Sequence, residues 1–360
     1  MKTQGIKYTG SKDKIIPKIL DLIKEKEIKS TLDGFSGTTR VAQALKKSGY
    51  DVDCNDISIY SETFGKCYIE NNFDQSFYSE KINYLNNIEG KSGWFTENYG
   101  GIITNNLKGN GIQSDGKKRY WQKHNTMKLD AIRDEIDLIS ENEIEKSVLL
   151  TSLILALDKV ENSVGHQVAY LKDWSPRSSK NMKMLVPELI KGNGEYNSLR
   201  CDITDINKYY DFIYLDPPYG TNNEKMPTTR VRYHSYYHLW TTVILNDKPK
   251  IVGASNRRLD ASSDKIEGAI SDYEKTDYEH VRKSIEDLID NLNCKYFAFS
   301  YNNKSKVTYD DLMNIFNKHK IIQNLKFPYK ENVMKNMKST NKWIFDDSQN
   351  HEYLFFVEKK

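Results

Sequence analysis

Apolar positions along the chain alternate between helical and strand spacing. Isoleucines between Ile15 and Ile23 repeat at helical spacing, and residues 31–37 predict a short strand that breaks into a glycine-containing turn. A second helix is predicted to stop at Gly49, and residues 51–58 predict another strand. A strand, a glycine turn, a helix and a further strand in this order are typical of a parallel, nucleotide-binding α/β unit.

The second half of the chain continues this alternation. A strongly apolar helix is predicted over residues 147–160, and the run from Phe212 to Leu215 predicts a buried parallel strand. Further on, the pattern predicts a strand over 295–301, a helix over 308–316, strands over 320–327 and 352–358, and an exposed basic loop over 328–343. The fold class that follows is α/β, with a Rossmann-like sheet.

The middle of the chain breaks the pattern. Residues 78–146 are polar, rich in Asn, Gly and Lys, and short of apolar periodicity before Ile132, so the apolar pattern indicates no clear element in most of this stretch. Within it, residues 117–123 mix positive charge with aromatic rings. That mixture suits phosphate contact together with base stacking, but a solvated edge of the insertion explains it equally well.

Charge and cysteine content narrow the possible classes of protein. The 53 basic and 50 acidic side chains give a net charge of +3, so any nucleic-acid surface must be local. The 4 cysteines are far apart and the 7 histidines lack metal-binding spacing, so neither a disulfide framework nor a metal site is expected. Without a signal core or a run approaching ~18 apolar residues, the chain is expected to be soluble and cytoplasmic, with no membrane contact.

A stiff turn ends the buried strand at Leu215. Asp216, Pro217, Pro218 and Tyr219 follow it, and the two prolines remove backbone donors, so the strand must stop there. Open α/β sheets carry their chemistry at the carboxyl ends of strands. The carboxylate could accept a hydrogen bond from an amine and the ring could stack on a flat ligand, although an ordinary strand-ending turn also uses an Asp.

A second candidate site lies in the first α/β unit. The segment from Asp33 to Gly37 places glycines where the backbone can approach a ligand, and Asp56 at the end of the second strand could accept from ribose hydroxyls. The glycine spacing departs from G-x-G-x-x-G, which argues against a dinucleotide site. Asp202 could meet the amino group of a bound adenine, or it could close an ordinary Asx turn.

Together these segments resemble the adenine-specific DNA methyltransferases with a D-P-P-Y motif, of the Dam-like α group. The ordered matches are Lys7-Tyr8-Thr9-Gly10-Ser11-Lys12 for the N-terminal K-W-x-G-[GS]-K loop with Tyr in place of Trp, Asp33 to Gly37 for the cofactor turn, Asn55-Asp56, Asp216 to Tyr219, and Ser300-Tyr301-Asn302. Two positions depart from relatives. Asp216 replaces the Asn of many N-P-P-Y proteins, which favours the DNA-adenine group, and Gly220 stands where relatives often carry Asn.

The order of the motifs resembles the α arrangement, in which cofactor motifs precede the catalytic motif, and implies a division of the chain. Residues 1–77 would form the first, cofactor-binding part of the catalytic core, and residues 78–185 a mostly helical or loop-like target recognition and DNA-contact region. Residues 186–220 would form the second core part, residues 221–285 a flap near the active site, and residues 286–360 the third core part.

The resemblance also implies roles for individual residues. The cofactor would be S-adenosyl-L-methionine, without a metal, held by Tyr8, Lys12, Asp33, Phe35, Ser36, Gly37, Asp56, Asp202 and Ile203, with Lys12 pairing with its carboxylate. Asp216 and the Pro217 carbonyl would hold a flipped adenine by its amine, and Tyr219 would stack on the base, with Pro218 completing the turn. Double-stranded DNA would be contacted by Lys172, Arg177, Lys180, Arg230 and Arg232.

The expected function is therefore site-specific methylation of adenine N6 in duplex DNA, as the modification enzyme of a restriction-modification system with a separately acting endonuclease. Two alternatives stay open. One is an RNA adenine or protein amide methyltransferase of the same fold, and the other is a DNA-binding relative without turnover. Against the second, Asp33, Asp56, Asp216 and Tyr219 are all present.

Overall fold

Strands from both halves of the chain form the central sheet of the computed structural model, which describes residues 2–10, 12–168, 171–219, 233–261, 271–328 and 351–360. The strands are β1 (Ser30–Asp33), β2 (Asp51–Asn55), β3 (Gly100–Gly101), β4 (Trp121–Gln122), β5 (Tyr196–Leu199), β6 (Tyr210–Leu215), β7 (Ile251–Val252), β8 (Arg257–Arg258), β9 (Cys294–Asn302), β10 (Lys320–Pro328) and β11 (His351–Glu358).

The helices alternate with these strands. They are α1 (Ile16–Ile23), α2 (Arg40–Lys47), α3 (Ile59–Gly65), α4 (Gln75–Asn87), α5 (Trp94–Tyr99), α6 (Lys123–Ile139), α7 (Glu143–Val160), α8 (Tyr233–Tyr236), α9 (His238–Leu245), α10 (Tyr278–Asn291) and α11 (Tyr309–Phe316). A π-helical turn (Lys66–Glu70) continues α3, and short 3₁₀ turns lie at Pro176–Ser179, Ile203–Asp205 and Asp272–Glu274.

The central sheet has seven strands in the order β10-β11-β9-β6-β1-β2-β5. The five strands from β9 to β5 run parallel, and β11 and β10 are antiparallel additions beyond β9. From β1 the chain first builds outward through β2 to β5, and then returns to build through β6 and β9 on the other side. The carboxyl ends of β1 and β6 therefore mark the switch point, where open α/β sheets bind ligands. The predicted α/β class is confirmed.

Alternation along the strands divides the core into two layers. On one face Phe212 and Tyr214 of β6 join a cluster with helices α1, α2, α3, α7 and α9. On the other face Ile213 and Leu215 join a second cluster with α10 and α11. Successive side chains of a strand point to opposite faces, so a strand between two helical layers must be apolar throughout. This burial explains the unbroken apolar run before Asp216.

A buried arginine links helices α6 and α9, which belong to the helical layer on the Phe212 and Tyr214 face of the sheet. Arg133 of α6 is 1% exposed and donates from Nε to Val243 O (2.6 Å) and from Nη2 to Ile244 O (2.8 Å), near the end of α9. Its Nη1 lies 2.7 Å from Asp137. The guanidinium thus satisfies carbonyls that the helix end leaves without an internal partner.

Among the helices of the described ranges, none has the length and apolar character to cross a bilayer.

Much of the segment over residues 78–146 is helical, although its apolar pattern is weak. Helices α4, α5 and α6 lie in it. In α4 the buried positions are Tyr78, Ile82 and Leu85. These three residues have helical spacing, but polar neighbours separate them, so the stripe is too thin to show clearly in the sequence.

The middle of the basic and aromatic segment at residues 117–123 belongs to the core, while Lys117 and Lys123 at its two ends are exposed. Tyr120 and Trp121 are 0% exposed, and Lys118 and Arg119 are also buried. Trp121 donates from its indole nitrogen to Leu157 O at 3.1 Å. The rings therefore have no free face for a nucleic-acid base, so the interpretation as a base-stacking surface is wrong, while phosphate contact by the exposed lysines stays a prediction.

Two predicted segments lie partly outside the described residues. The described part of the predicted flap over residues 221–285 contains α8, α9, β7, β8, the turn Asp272–Glu274 and the first part of α10. Residues 221–232 and 262–270 of that flap, and residues 329–343 of the predicted basic loop, lie outside the described residues.

Candidate active site

A cavity of about 410 Å³ lies at the carboxyl ends of β1, β2 and β6, at the switch point of the sheet. Every residue predicted for the cofactor and for the catalytic turn lines it: Tyr8, Lys12, Asp33, Phe35, Ser36, Gly37, Asp56, Asp202, Ile203, Asp216, Pro217, Pro218 and Tyr219. The fold therefore brings these separate segments of the chain together around one space. Their individual roles stay predictions.

The glycine turn after β1 is held by the acid that follows β2. Asp56 Oδ2 accepts from Gly37 N at 2.9 Å, and its Oδ1 accepts from Ser58 N at 2.9 Å. Gly37 has φ of +49°, and a Cβ added there would lie 3.1 Å from Cε1 of Tyr8. Both the backbone conformation and the close approach of the Tyr8 ring therefore favour glycine at this position.

Asp33, the last residue of β1, is almost completely enclosed, with 1% of its surface exposed. Its Oδ2 accepts from Ala42 N in the first turn of α2 at 3.0 Å, while its buried Oδ1 has no hydrogen-bond partner within the described ranges. Burial, supported by the charges of Asp216 and Asp56, raises the pKa of this carboxyl to about 8. An acid with an unpaired buried oxygen is suited to a ligand that brings a positive charge or a donor.

The predicted adenine-binding residues follow β5. Asp202 Oδ1 accepts from Thr204 N at 2.9 Å and from Thr204 Oγ1 at 2.7 Å, so the local turn considered as an alternative is present, and the residue also lines the cavity. Sequence reasoning missed Tyr273, which also lines the cavity and packs edge-on against Phe35 with ring centroids 5.3 Å apart. It lies in a 3₁₀ turn whose position depends on tertiary contacts, so no local signal indicated it.

A cluster of four polar groups lies at the predicted catalytic turn after β6. Tyr219 Oη donates to Asp216 Oδ1 at 2.6 Å, and Lys12 Nζ donates to Tyr219 Oη at 2.7 Å. Lys12 Nζ also lies 3.1 Å from Asp216 Oδ1 and 2.7 Å from Glu352 Oε1. The sequence did not identify Glu352 as a site residue. We refer to these four residues as the carboxylate–lysine cluster.

Burial and the neighbouring charges both shift the pKa values within the carboxylate–lysine cluster. Burial raises the pKa of Asp216, Lys12 lowers it, and Glu352 raises it further, and the net pKa lies above the ordinary range of an aspartate. Burial lowers the pKa of Lys12, but Asp216 and Glu352 outweigh that effect and raise it. Lys12 is therefore a charged donor that two carboxylates share. Its predicted pairing with a cofactor carboxylate stays a prediction.

Tyr8, in the N-terminal loop, belongs to a stack of tyrosine rings. Its ring lies 4.5 Å from that of Tyr237, at an interplanar angle of 22°, and 5.5 Å from that of Tyr233, at 28°. Tyr237 Oη accepts from Thr9 N at 2.7 Å. The sequence places Tyr233 and Tyr237 in an aromatic cluster just after the catalytic turn. The stack fixes the N-terminal loop against α8 and the start of α9.

The residues predicted to contact DNA have different surroundings. Lys172 and Lys180 are exposed. Arg177 donates from Nε to Glu161 O (2.7 Å) and from Nη2 to Ser163 O (2.9 Å), so part of its guanidinium is used within the fold. Arg230 and Arg232 lie outside the described residues. These DNA contacts all stay predictions.

Among the residues that the structure describes, His, Cys, Asp and Glu side chains do not gather in groups of three or more that could hold a metal ion.

The sheet order and the cavity are consistent with a methyltransferase fold, and comparison with known proteins gives the family. Residues 8–290 match the model of the D12 class N6 adenine-specific DNA methyltransferases, and the chain belongs to this family. The resemblance drawn from the ordered motifs is thereby confirmed.

Individual relatives are modification enzymes. The chain is 29% identical over 384 residues to the modification methylase StsI of Streptococcus sanguinis, covering 99% of this chain and 52% of that protein. It is 26% identical over 376 residues to the type II methyltransferase M.FokI of Planomicrobium okeanokoites, covering 98% and 53%. Against the type II methyltransferase M.NlaIII of Neisseria lactamica it is 24% identical over 340 residues, covering 91% and 90%. The chain thus spans about half the length of StsI and M.FokI.

Proposed function

We propose that this chain transfers a methyl group to N6 of a flipped-out adenine in double-stranded DNA, as the modification enzyme of a restriction-modification system. The observation that carries the proposal is the single cavity in which the cofactor turn around Asp33 meets the catalytic turn around Asp216. Membership of the D12 class supports the reaction, and the printed names of the relatives support the biological setting.

The cofactor we propose is S-adenosyl-L-methionine, which supplies an activated methyl group on a positively charged sulfur. The side chains of the cavity fit its parts. Asp33 offers an unpaired carboxylate oxygen to an ammonium group, and Asp56 offers acceptors to ribose hydroxyls. Asp202 offers an acceptor to the adenine amine, while Phe35 and Ile203 offer apolar contact to the ring.

The catalytic turn positions the substrate amine. The lone pair of an adenine amine is delocalised into the ring, so the amine needs acceptors that hold its hydrogens and free the lone pair. Both Lys12 and Tyr219 contact Asp216 through Oδ1, and we assign Oδ2 and the Pro217 carbonyl to the amine. Tyr219, with Oη fixed by the carboxylate–lysine cluster and its ring 5.2 Å from that of Tyr301, would stack on the flipped base.

Duplex DNA is the partner we propose, and base flipping costs a few kcal/mol that contacts with DNA must offset. The region 78–185 would read the target sequence, and Lys172, Arg177, Lys180, Arg230 and Arg232 would contact DNA. Exposure of Lys172 and Lys180 supports phosphate contact. A cognate endonuclease would act separately on the same site.

The decisive experiment is methylation of genomic DNA that lacks modification, with labelled S-adenosyl-L-methionine, followed by mapping of N6-methyladenine. Asp216→Ala should abolish transfer while cofactor binding, measured by calorimetry, persists. Asp21→Ala is a matched control, because Asp21 lies on the exposed side of α1 and pairs with Lys24 at the surface. Undiminished methyl transfer by Asp216→Ala would refute the role of Asp216. Preferred methylation of competing RNA would refute the proposal that DNA is the substrate.

A further inference from the structure

Glu352 reaches the active site from the start of β11, a strand that carries none of the sequence motifs. Strand β11 is antiparallel to β9, with Glu352 opposite Asn302 and Leu354 opposite Ser300. The first residues of β11 therefore lie at the edge where the parallel strands finish. Leu354 and Phe356 belong to the core face that also carries Tyr214 of β6, so period-two alternation places Glu352 on the same face as Asp216.

The contacts of Glu352 are with the catalytic turn and the N-terminal loop. Its Oε1 lies 2.7 Å from Lys12 Nζ and 3.1 Å from Tyr219 Oη, and its residue surface is 5% exposed. Lys12 is 6% exposed. Lys12, Asp216 and Tyr219 line the cavity, and Glu352 contacts the first and last of these from β11. Three separate parts of the chain thus meet at a single ammonium group.

The charge balance of this cluster distinguishes Glu352 from an ordinary structural ion pair. A buried ion pair adds little net stability, because desolvation offsets the attraction. Here the Lys12 ammonium pairs with two carboxylates, and the Glu352 carboxylate limits how strongly Lys12 pairs with Asp216. Without Glu352, Lys12 would neutralise Asp216 more completely and weaken it as an acceptor.

We propose that Glu352 is a positioning residue for the methyl transfer: its carboxylate shares the Lys12 ammonium with Asp216, so that Lys12 and Tyr219 fix Oδ1 while Oδ2 of Asp216 remains a strong acceptor for the substrate amine. This inference rests on the proposed function. The groups that face Asp216 are Lys12 from the N-terminal loop, Asp33 from β1, Tyr214 from β6, Tyr219 from the catalytic turn and Glu352 from β11.

Removing the charge of Glu352 has two measurable consequences. The pKa of Asp216 should fall, because one of the charges that raises it is lost while Lys12 remains. The acidic limb of the kcat–pH profile should therefore move to lower pH. At the same time kcat should fall by about tenfold to a hundredfold, with a much smaller change in KM for the cofactor, because the loss concerns alignment in the transition state.

The test compares Glu352→Gln with wild type and with Glu358→Gln, which changes the same residue type on the same strand where it pairs with Lys320 at the surface. Methyl transfer to adenine by wild-type protein is measured first, and an inactive wild type would refute the proposed function and this inference with it. If wild type is active, a Glu352→Gln variant with wild-type kcat and an unmoved acidic limb would refute the positioning role alone.

A second variant covers the case in which Glu352→Gln does not fold, which thermal unfolding would reveal. Glu352→Asp keeps the charge but withdraws the carboxylate from Lys12. We expect its acidic limb to stay close to that of wild type while kcat falls several-fold. An unchanged kcat in this variant would overturn the proposal, because the reach of the Glu352 carboxylate would then have no effect.

Discussion

Replacement of Asp33 by asparagine should make the ligand-free protein more stable and the cofactor complex weaker. The side chain is 1% exposed, accepts from Ala42 N through Oδ2 and has a buried Oδ1 without a partner among the described residues. Asparagine has nearly the same shape and keeps an acceptor for Ala42 N. It removes the ionisable carboxyl and with it the group that we assign to the cofactor ammonium.

The magnitude follows from the shifted pKa. Burial raises the pKa of Asp33 from 3.8 to about 8, so between these values the folded state holds a proton that the unfolded chain releases. Stability then falls as pH rises, and the contribution of one such group is about 1.4 kcal/mol per pH unit. Asp33→Asn lacks this contribution. Between about pH 5.5 and about pH 7.5 the variant should therefore gain roughly 2.7 kcal/mol relative to wild type.

The assay is urea unfolding of ligand-free wild type and Asp33→Asn across this pH range, together with calorimetric titration by S-adenosyl-L-methionine. A loss of affinity of about tenfold or more is expected, since a hydrogen bond between charged groups contributes roughly 1.5–3 kcal/mol. Asp115→Asn is the control. A hydrogen bond from Arg119 lowers the pKa of Asp115, so that substitution should produce no gain in stability with rising pH.

Two results would refute the reasoning. Equal pH slopes for wild type and Asp33→Asn would show that Asp33 is ionised in the folded protein at neutral pH. Unchanged cofactor affinity in a folded variant would show that the unpaired oxygen is not the ammonium acceptor.

Other predictions concern separate parts of the molecule. Arg133→Met should lower the free energy of unfolding by about 3 kcal/mol, because carbonyls of α9 lose their partner; denaturant titration checks this, with the surface variant Arg282→Met as control. Gly37→Ala should weaken cofactor binding measured by calorimetry, because the position has φ of +49°. Lys172→Ala and Lys180→Ala should each weaken DNA binding equally for all sequences. Each should also reduce the slope of log binding constant against log salt concentration by about 1, measured by fluorescence anisotropy. An unchanged slope would remove that lysine from the DNA interface.

Local patterns were sufficient where a residue and its function lie in one short segment. The buried run before Asp216 and the glycine turn after Asp33 each combine strand, turn and polar group within about ten residues, so spacing alone located them. The sheet order adds that both segments end at the same edge. For this reason the residues expected around the cofactor line one cavity.

Residues whose position depends on distant partners escaped prediction. Glu352 begins a strand that the apolar pattern did reveal, but its contact with Lys12 depends on the antiparallel docking of β11 beside β9. Tyr120 and Trp121 were misinterpreted because aromatic residues next to lysines form the same sequence pattern whether they lie on a surface or in a core. Their burial is decided by α7 and α9, which come later in the chain.

The place of β11 in the sheet also constrains when the site can form during protein synthesis. Lys12 and Asp216 leave the ribosome long before Glu352, and until β11 emerges, β9 has a free edge and β10 has no strand to pair with. Residues Leu354 to Val357 are buried, so pairing of β11 with β9 buries this strand and brings Glu352 to Lys12 in the same step. A nascent chain therefore lacks the complete carboxylate–lysine cluster until β11 has paired with β9.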